Sequence, residues 1–370
     1  MNKGAHLLPF GTQSTQGSQF REIDFRSIRL VLEKATGASP LKRQNAIRKL
    51  EKAYRRGELH LVPDEPPNAR WARCQARFYL GDYSDWSGWE FQSDYHTALW
   101  HWKDSNRFPI PRWDGSRVRK LWIIGDQGIG DEVFFASCIP DVQRLVDGVV
   151  IECDPRLESA FKRSFGVETR PAEIEGRKRK VQEVPEGCDA WWPIGDLARN
   201  FRRKLSHFPG TPFLVADPAQ IERFSEYRGK VGISWRGAQG QEKRILGAFP
   251  DTVSLQYDRE WDEDINEPTV DLRNDIEGVL GLLSNLSKVV TVSTSVAHFA
   301  GALGVPVDVI IADPMTALPD RRSVLPWKWV CRSTPGRTPW YGSVRVFDNW
   351  NQYQSSVTVK VRSTGDGGHG

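Results

Sequence analysis

Twice along this 370-residue chain a short apolar run enters a corner rich in glycine or hydroxyl residues and leaves it as a helix. That alternation constrains the fold more than any other feature. The first instance is KLWIIGDQGIGDEVFFASCIPDVQRLV, at residues 120–146, followed by the short strands VVIECD, VETRPAE and DAWWPIG with PRLESAFKRSFG and DLARNFRRKL between them. The second opens with KVGISWRG. It continues through DTVSLQYD, PTVDLRN, the helix DIEGVLGLLSNLS, the strand KVVTVS, the helix TSVAHFAGALG and the strand PVDVIIA. Strands alternating with helical segments predict parallel sheets with crossover helices. The expected fold class is therefore α/β, with two tandem Rossmann-like domains.

Punctuation divides the rest. Residues 1–20 are Gly-, Ser-, Thr- and Gln-rich without an apolar period and are expected to form a flexible tail. Residues 21–110 carry apolar residues at helical spacing between Gly and Pro, which predicts a small helical module. The first α/β domain is expected at 117–210 and the second at 229–345, separated by the Pro-punctuated HFPGTPFLVADPAQIERF. A C-terminal tail, 346–370, completes the chain; the stretch from Trp340 onward is expected to pack one helix or strand and then fray through STGDGGHG. Two such domains facing each other across a cleft make a natural ligand site, because the loops at the carboxyl ends of both sheets converge there.

Composition removes several classes. With 51 Lys+Arg against 47 Asp+Glu and 39% hydrophobic residues, the chain is neither a disordered polyelectrolyte nor a fibrous protein. No run approaches the ~20 apolar residues of a membrane span and the first residues lack a secretory pattern, so a cytoplasmic protein is expected. Cys74, Cys138, Cys153, Cys188 and Cys331 are widely spaced, without a C-x-x-C, which argues against a disulfide framework or a structural metal. The basic residues at 42–56 (Lys42, Arg43, Arg48, Lys49, Lys52, Arg55, Arg56) form a solvated helix face or a patch for an acidic partner such as nucleic acid. The 15 Trp suggest an aromatic core together with a stacking or carbohydrate-contacting surface.

Three corners carry the candidate chemistry. In GDQGIGDE, Gly128 and Gly130 allow a tight turn and close ligand approach ahead of a helix N-terminus. The spacing of Gly125, Gly128 and Gly130 is not G-x-G-x-x-G and no P-loop Lys follows, which sets aside dinucleotide and Walker readings and, with them, a nicotinamide oxidoreductase. Asp131 fits an N-cap as well as it fits a catalytic carboxylate. In VSTSVAHFAGALG, Thr294 and Ser295 offer hydroxyls and backbone donors at a helix start, while His298 fits a structural histidine or a site residue. In SWRG, Arg236 follows a strand; with Lys243 and Arg244 it supplies surface charge or cations for a leaving diphosphate.

KLWIIGDQGIGDEVFFASCIP, KVGISWRG and VVTVSTSVAHFAGALGVPV, in that order, resemble the heptosyltransferase-type glycosyltransferases, particularly members that follow tetratricopeptide-like helices. Upstream, LGDYSDWSGWEF and PRWDG look like the junction between such helices and the transferase. The resemblance implies a glycosyltransferase B fold, a nucleotide-sugar bound mainly by the second domain, inversion at the anomeric carbon, and no cofactor or obligatory metal. It implies that Asp131 is the general base. Gly128, Gly130, Thr294, Ser295 and His298 would line the donor's diphosphate and sugar, Gln256 would lie near the nucleotide, and Arg236, Lys243 or Arg244 would stabilise the departing diphosphate. Relatives commonly carry Asp where this chain has Ser293, and a longer basic loop where it has GQEKRILGAFP. Those departures leave open a different donor sugar, or a non-catalytic binding or scaffold protein that keeps the fold.

Two decoys carry no chemistry. Asp262-Glu263-Asp264 matches the D-x-D of metal-dependent glycosyltransferases but sits in the acidic REWDEDINEP with no strand leading into it. Asn285-Leu286-Ser287 is a glycosylation sequon in letters only.

Overall fold

The computed structural model describes residues 74–75, 77–89, 108–125, 128–175, 178–180, 182–237, 240–257, 267–311 and 327–365. The expected tail at 1–20, most of the helical module at 21–110, the basic residues at 42–56 and the acidic triplet at 262–264 lie outside these residues.

The first parallel sheet contains β1 (Lys120–Ile124), β2 (Gly148–Cys153), β3 (Glu168–Pro171) and β6 (Ala190–Pro193), in the order β3-β2-β1-β6. β1 and β2 are almost wholly buried, as apolar strands covered on both faces must be. Helices α1 (Ile129–Ala136) and α2 (Ile139–Val142) follow β1, α3 (Glu158–Phe165) joins β2 to β3, and α4 (Leu197–Phe201) follows β6. A short hairpin, β4 (Ile174–Glu175) and β5 (Lys178–Arg179), precedes β6. The Pro-punctuated connection contributes an unanticipated helix, α5 (Pro218–Arg223), capped by Asp217.

The second parallel sheet contains β7 (Val231–Ser234), β10 (Thr252–Ser254), β11 (Lys288–Thr291), β12 (Val307–Ile310) and β13 (Val344–Phe347), in the order β10-β7-β11-β12-β13. β8 (Arg236–Gly237) and β9 (Gly240–Gln241) form a hairpin beside it. α6 (Ile276–Asn285) precedes β11, α7 (Ser295–Leu303) joins β11 to β12, and α8 (Trp350–Gly365) follows β13. Strand order therefore reverses between β1 and β6 in one sheet and between β7 and β11 in the other. In doubly wound sheets ligands bind outside the carboxyl ends of strands at such reversals. β1, β7 and β11 all end in the corners singled out from the sequence.

The structure corrects several details of the sequence reading. PTVDLRN is not a strand: the Asp271 carboxylate accepts from Arg273 N at 2.9 Å and Asn274 N at 3.0 Å, turning the chain toward the start of α6. β13 straddles the boundary expected at 345, and Trp350 and Tyr353 of α8 pack against Ile233, Trp235 and Val290, so the expected packed element is both a strand and a helix, and residues 347–353 contribute to the second sheet's core. Nor do the tryptophans of the described residues make an open stacking surface. Among the described residues all are buried except the partly exposed Trp192. Trp86 and Trp89 cluster with Trp327 and with Phe135 of α1, tying residues 74–89 to the first domain.

Candidate functional site

The α1 corner is built by two glycines. Gly128 is the N-cap, at φ −124° and ψ 134°, and provides no side-chain cap. Asp131 is thus the third residue of the helix and not its N-cap, an acid in the first turn where it faces the helix's positive end. Gly130 lies against α7: a Cβ there would meet Ser295 Cα at 3.3 Å and His298 Cδ2 at 3.4 Å. The two acidic residues of this turn have different fates. Glu132 is buried, its Oε2 accepting from Asp154 N at 2.9 Å. The Asp131 side chain retains 30% exposure and accepts from Lys328 Nζ.

The α7 corner contains no charge of its own. Thr294 is the N-cap without a side-chain cap bond, its hydroxyl lying 3.1 Å from Thr291 Oγ1 instead. Ser293 Oγ accepts from Trp329 Nε1 at 2.8 Å. His298 is buried, with Nδ1 3.0 Å from Tyr341 Oη and its ring stacked on Trp329 at 4.5 Å. Burial pushes the His298 pKa down to about 3, Lys328 adding to the drop and Asp131 opposing it, so the imidazole is neutral at neutral pH.

The β7 corner closes onto the second. A Cβ on Gly237 would come within 2.4 Å of Ser293 O and 3.1 Å of Thr294 Cγ2, so only glycine lets the β8–β9 hairpin approach this closely. Buried Gln256 clamps the backbone there. Its Oε1 accepts from Arg236 N and Ser234 Oγ, both at 3.1 Å, and its Nε2 donates to Arg236 O at 3.2 Å. Arg244 is held by Glu242 through two bonds, at 2.8 and 2.7 Å, with its guanidinium 5.8 Å from the Trp350 ring. Lys243 is exposed.

Glycine contacts therefore bring Asp131, Ser295, His298, Thr294 and the Arg236 turn to one place. Gln256 is found there as a backbone clamp, and Arg244 is directed toward Glu242. Sequence reasoning missed Lys328, Trp329 and Tyr341. A lysine between two tryptophans in PWKWV was the one available signal, since burying such a run demands a partner for the ammonium. A cavity of about 530 Å³ opens elsewhere, at the C-terminal end of α1, lined by residues that include Ser137, Arg202, Phe208 and Trp340. Among the described residues no group of three or more His, Cys, Asp or Glu is arranged to hold a metal ion, and no helix is long and apolar enough to cross a membrane. The site pairs a carboxylate able to accept a proton with a helix N-terminus able to hold an anion.

These features define a mixed α/β protein with two parallel, doubly wound sheets whose strand-end corners meet. No protein-family model matches the sequence. Protein FlbA of Caulobacter vibrioides is 29% identical over 331 residues, covering 77% of this chain and 52% of that protein. The chain thus spans about half the length of the curated relative it matches. Among solved structures, the E. coli ADP-heptose LPS heptosyltransferase II overlaps with a TM-score of 0.41 at 12% identity, covering 66% of this chain and 99% of that one. A family 9 glycosyl transferase from Veillonella parvula gives 0.43 at 8% identity, covering 67% and 91%.

Proposed function

We propose that this protein is a glycosyltransferase of glycosyltransferase B type that moves a sugar from a nucleoside-diphosphate sugar to a hydroxyl acceptor, by inverting displacement without a metal or other cofactor. The observation that supports the reading is the close approach of Gly130 to Ser295, which brings the turn that carries Asp131 against the N-terminus of α7. Asp131 takes the proton from the acceptor hydroxyl as that oxygen attacks the anomeric carbon from the face opposite the nucleotide. Charge developing on the departing diphosphate collects at the start of α7, where Thr294, Ser295 and the backbone N–H groups meet it, with Arg236, Lys243 or Arg244 as further cations. Neutral His298, fixed by Tyr341, shapes the donor side. The acceptor is a glycan, a protein hydroxyl or a hydroxylated nucleic-acid base.

The test joins binding to turnover. In a thermal-shift panel of ADP, UDP, GDP, CDP and their sugars, the correct nucleotide at ~100 times its dissociation constant should add about 2.7 kcal/mol of stability. Asp131→Asn should keep that shift and lose transfer; a variant transferring at the wild-type rate would refute Asp131 as the base.

A second reading, a nucleotide-sugar or glycan-binding protein that performs no transfer, is favoured by one observation. Ser293 replaces a carboxylate expected from the resemblance, and its hydroxyl is engaged by Trp329. Nucleotide binding without turnover on any acceptor would favour it.

A further inference from the structure

The segment Trp327-Lys328-Trp329 crosses the site and is tied to both halves of it. Lys328 Nζ donates to Asp131 Oδ1 on the first domain, while the next residue, Trp329, donates to Ser293 Oγ on the second. Both tryptophans are buried, at 3% and 1% exposure, and Thr338 Oγ1 donates to the Lys328 carbonyl at 2.8 Å. The ammonium lies over the rings of Phe134 at 5.0 Å, Trp327 at 5.8 Å and Phe135 at 5.9 Å. This is not a lysine swinging on a surface. A cation set among aromatic rings on an anchored backbone is held in place, and its ionic partner among the described residues is Asp131.

We infer that Lys328 is a positioning residue, the counter-ion that keeps Asp131 ionised and aimed into the site. Among the described residues, three other titratable groups near Asp131 carry no positive charge. From α7, His298 is neutral; Tyr341, in the segment before β13, is held in its neutral phenol form by burial and by the charge of Asp131; Glu132, on α1 itself, is a buried acid bonded to Asp154 N. An adjacent ammonium favours the carboxylate form and restricts its rotamers. A carboxylate so paired is held in one orientation at the start of α1. The role matters to catalysis only on the transferase reading, but the ion pair can be tested without turnover.

The experiment is a titration of Asp131 by NMR in protein labelled with ¹³C at the aspartate carboxyls, the resonance assigned by its loss in Asp131→Asn. Wild type, Lys328→Met and Lys328→Arg are compared, with near-UV circular dichroism checking the tryptophan core; if the Met variant does not fold, Lys328→Gln replaces it. The Asp131 midpoint should rise by about 1–3 pH units in Lys328→Met and return toward wild type in Lys328→Arg. Once an acceptor is known, the acid limb of the transfer profile should move with it. An unchanged midpoint in a folded, uncharged variant overturns the inference. Absence of transfer from wild type with every donor would count against the transferase reading alone, because the titration still decides what Lys328 does to Asp131.

Discussion

The corners that start α1 and α7 are built alike and finished differently. Each follows a central parallel strand, each opens a helix with no side-chain cap, and they touch through Gly130 and Ser295. The α1 corner is finished with charge, Asp131 paired to Lys328. The α7 corner is finished with neutral groups: paired threonine hydroxyls, a serine held by an indole, and a histidine that burial keeps unprotonated. Two adjacent helix N-termini present partial positive charge to the same place. A carboxylate on one side offsets part of it, and the uncharged side is left suited to an anion that arrives with a substrate. On the proposed transferase reading, proton handling and anion holding are separated between the two sheets.

Removing the charged finish gives the largest effect. Asp131→Asn should reduce transfer by roughly 10²–10⁴-fold, the usual worth of a positioned general base, without changing nucleotide binding. Equal loss of both would mean that Asp131 supports the α7 corner and not the proton. Next comes the fit between corners. Gly237→Ala places a methyl 2.4 Å from Ser293 O, backbone that has little room to move, so stability should fall by about 1–3 kcal/mol in a urea titration and nucleotide binding should weaken with it. Full stability with weakened binding would instead locate the damage in the hairpin alone.

The corners themselves were legible because their chemistry is local. A strand that ends in Gly128-Ile129-Gly130 or Thr294-Ser295 announces the turn by the residues the backbone needs there. What escaped was long-range. Lys328 lies 197 residues from Asp131, and no pattern near either residue specifies their pairing. A packed element after Trp340 was expected, but VRVF was too short to mark it as a fifth strand, and it is fixed by a partner: Arg345 donates twice, at 2.7 Å, to Asp308, buried in β12. PTVDLRN failed in the opposite way, since its strand-like letters yield to a turn made by the Asp271 side chain.

The neutral corner can be tested by pH. His298 has a pKa near 3 when folded against an ordinary 6.5, so between those values the unfolded chain takes up a proton that the buried ring refuses. Stability from this residue is complete above about pH 6.5 and falls by about 1.4 kcal/mol per pH unit as the solution is acidified toward 3. His298→Gln should start less stable at pH 7.5, having lost the stacked ring, but should lose less than wild type when both are melted again at pH 5.5. Parallel losses would mean that His298 is protonated inside the fold. The smallest effect belongs to Thr294→Val. Because the Thr294 hydroxyl bonds Thr291 and not its own helix, its removal should cost about 0.5–1.5 kcal/mol, the worth of one ordinary hydrogen bond. A cost of about 2 kcal/mol or more, at the upper end for a lost N-cap, would show that Thr294 closes α7 after all. The contrast between the corners would then narrow to Asp131 and its lysine.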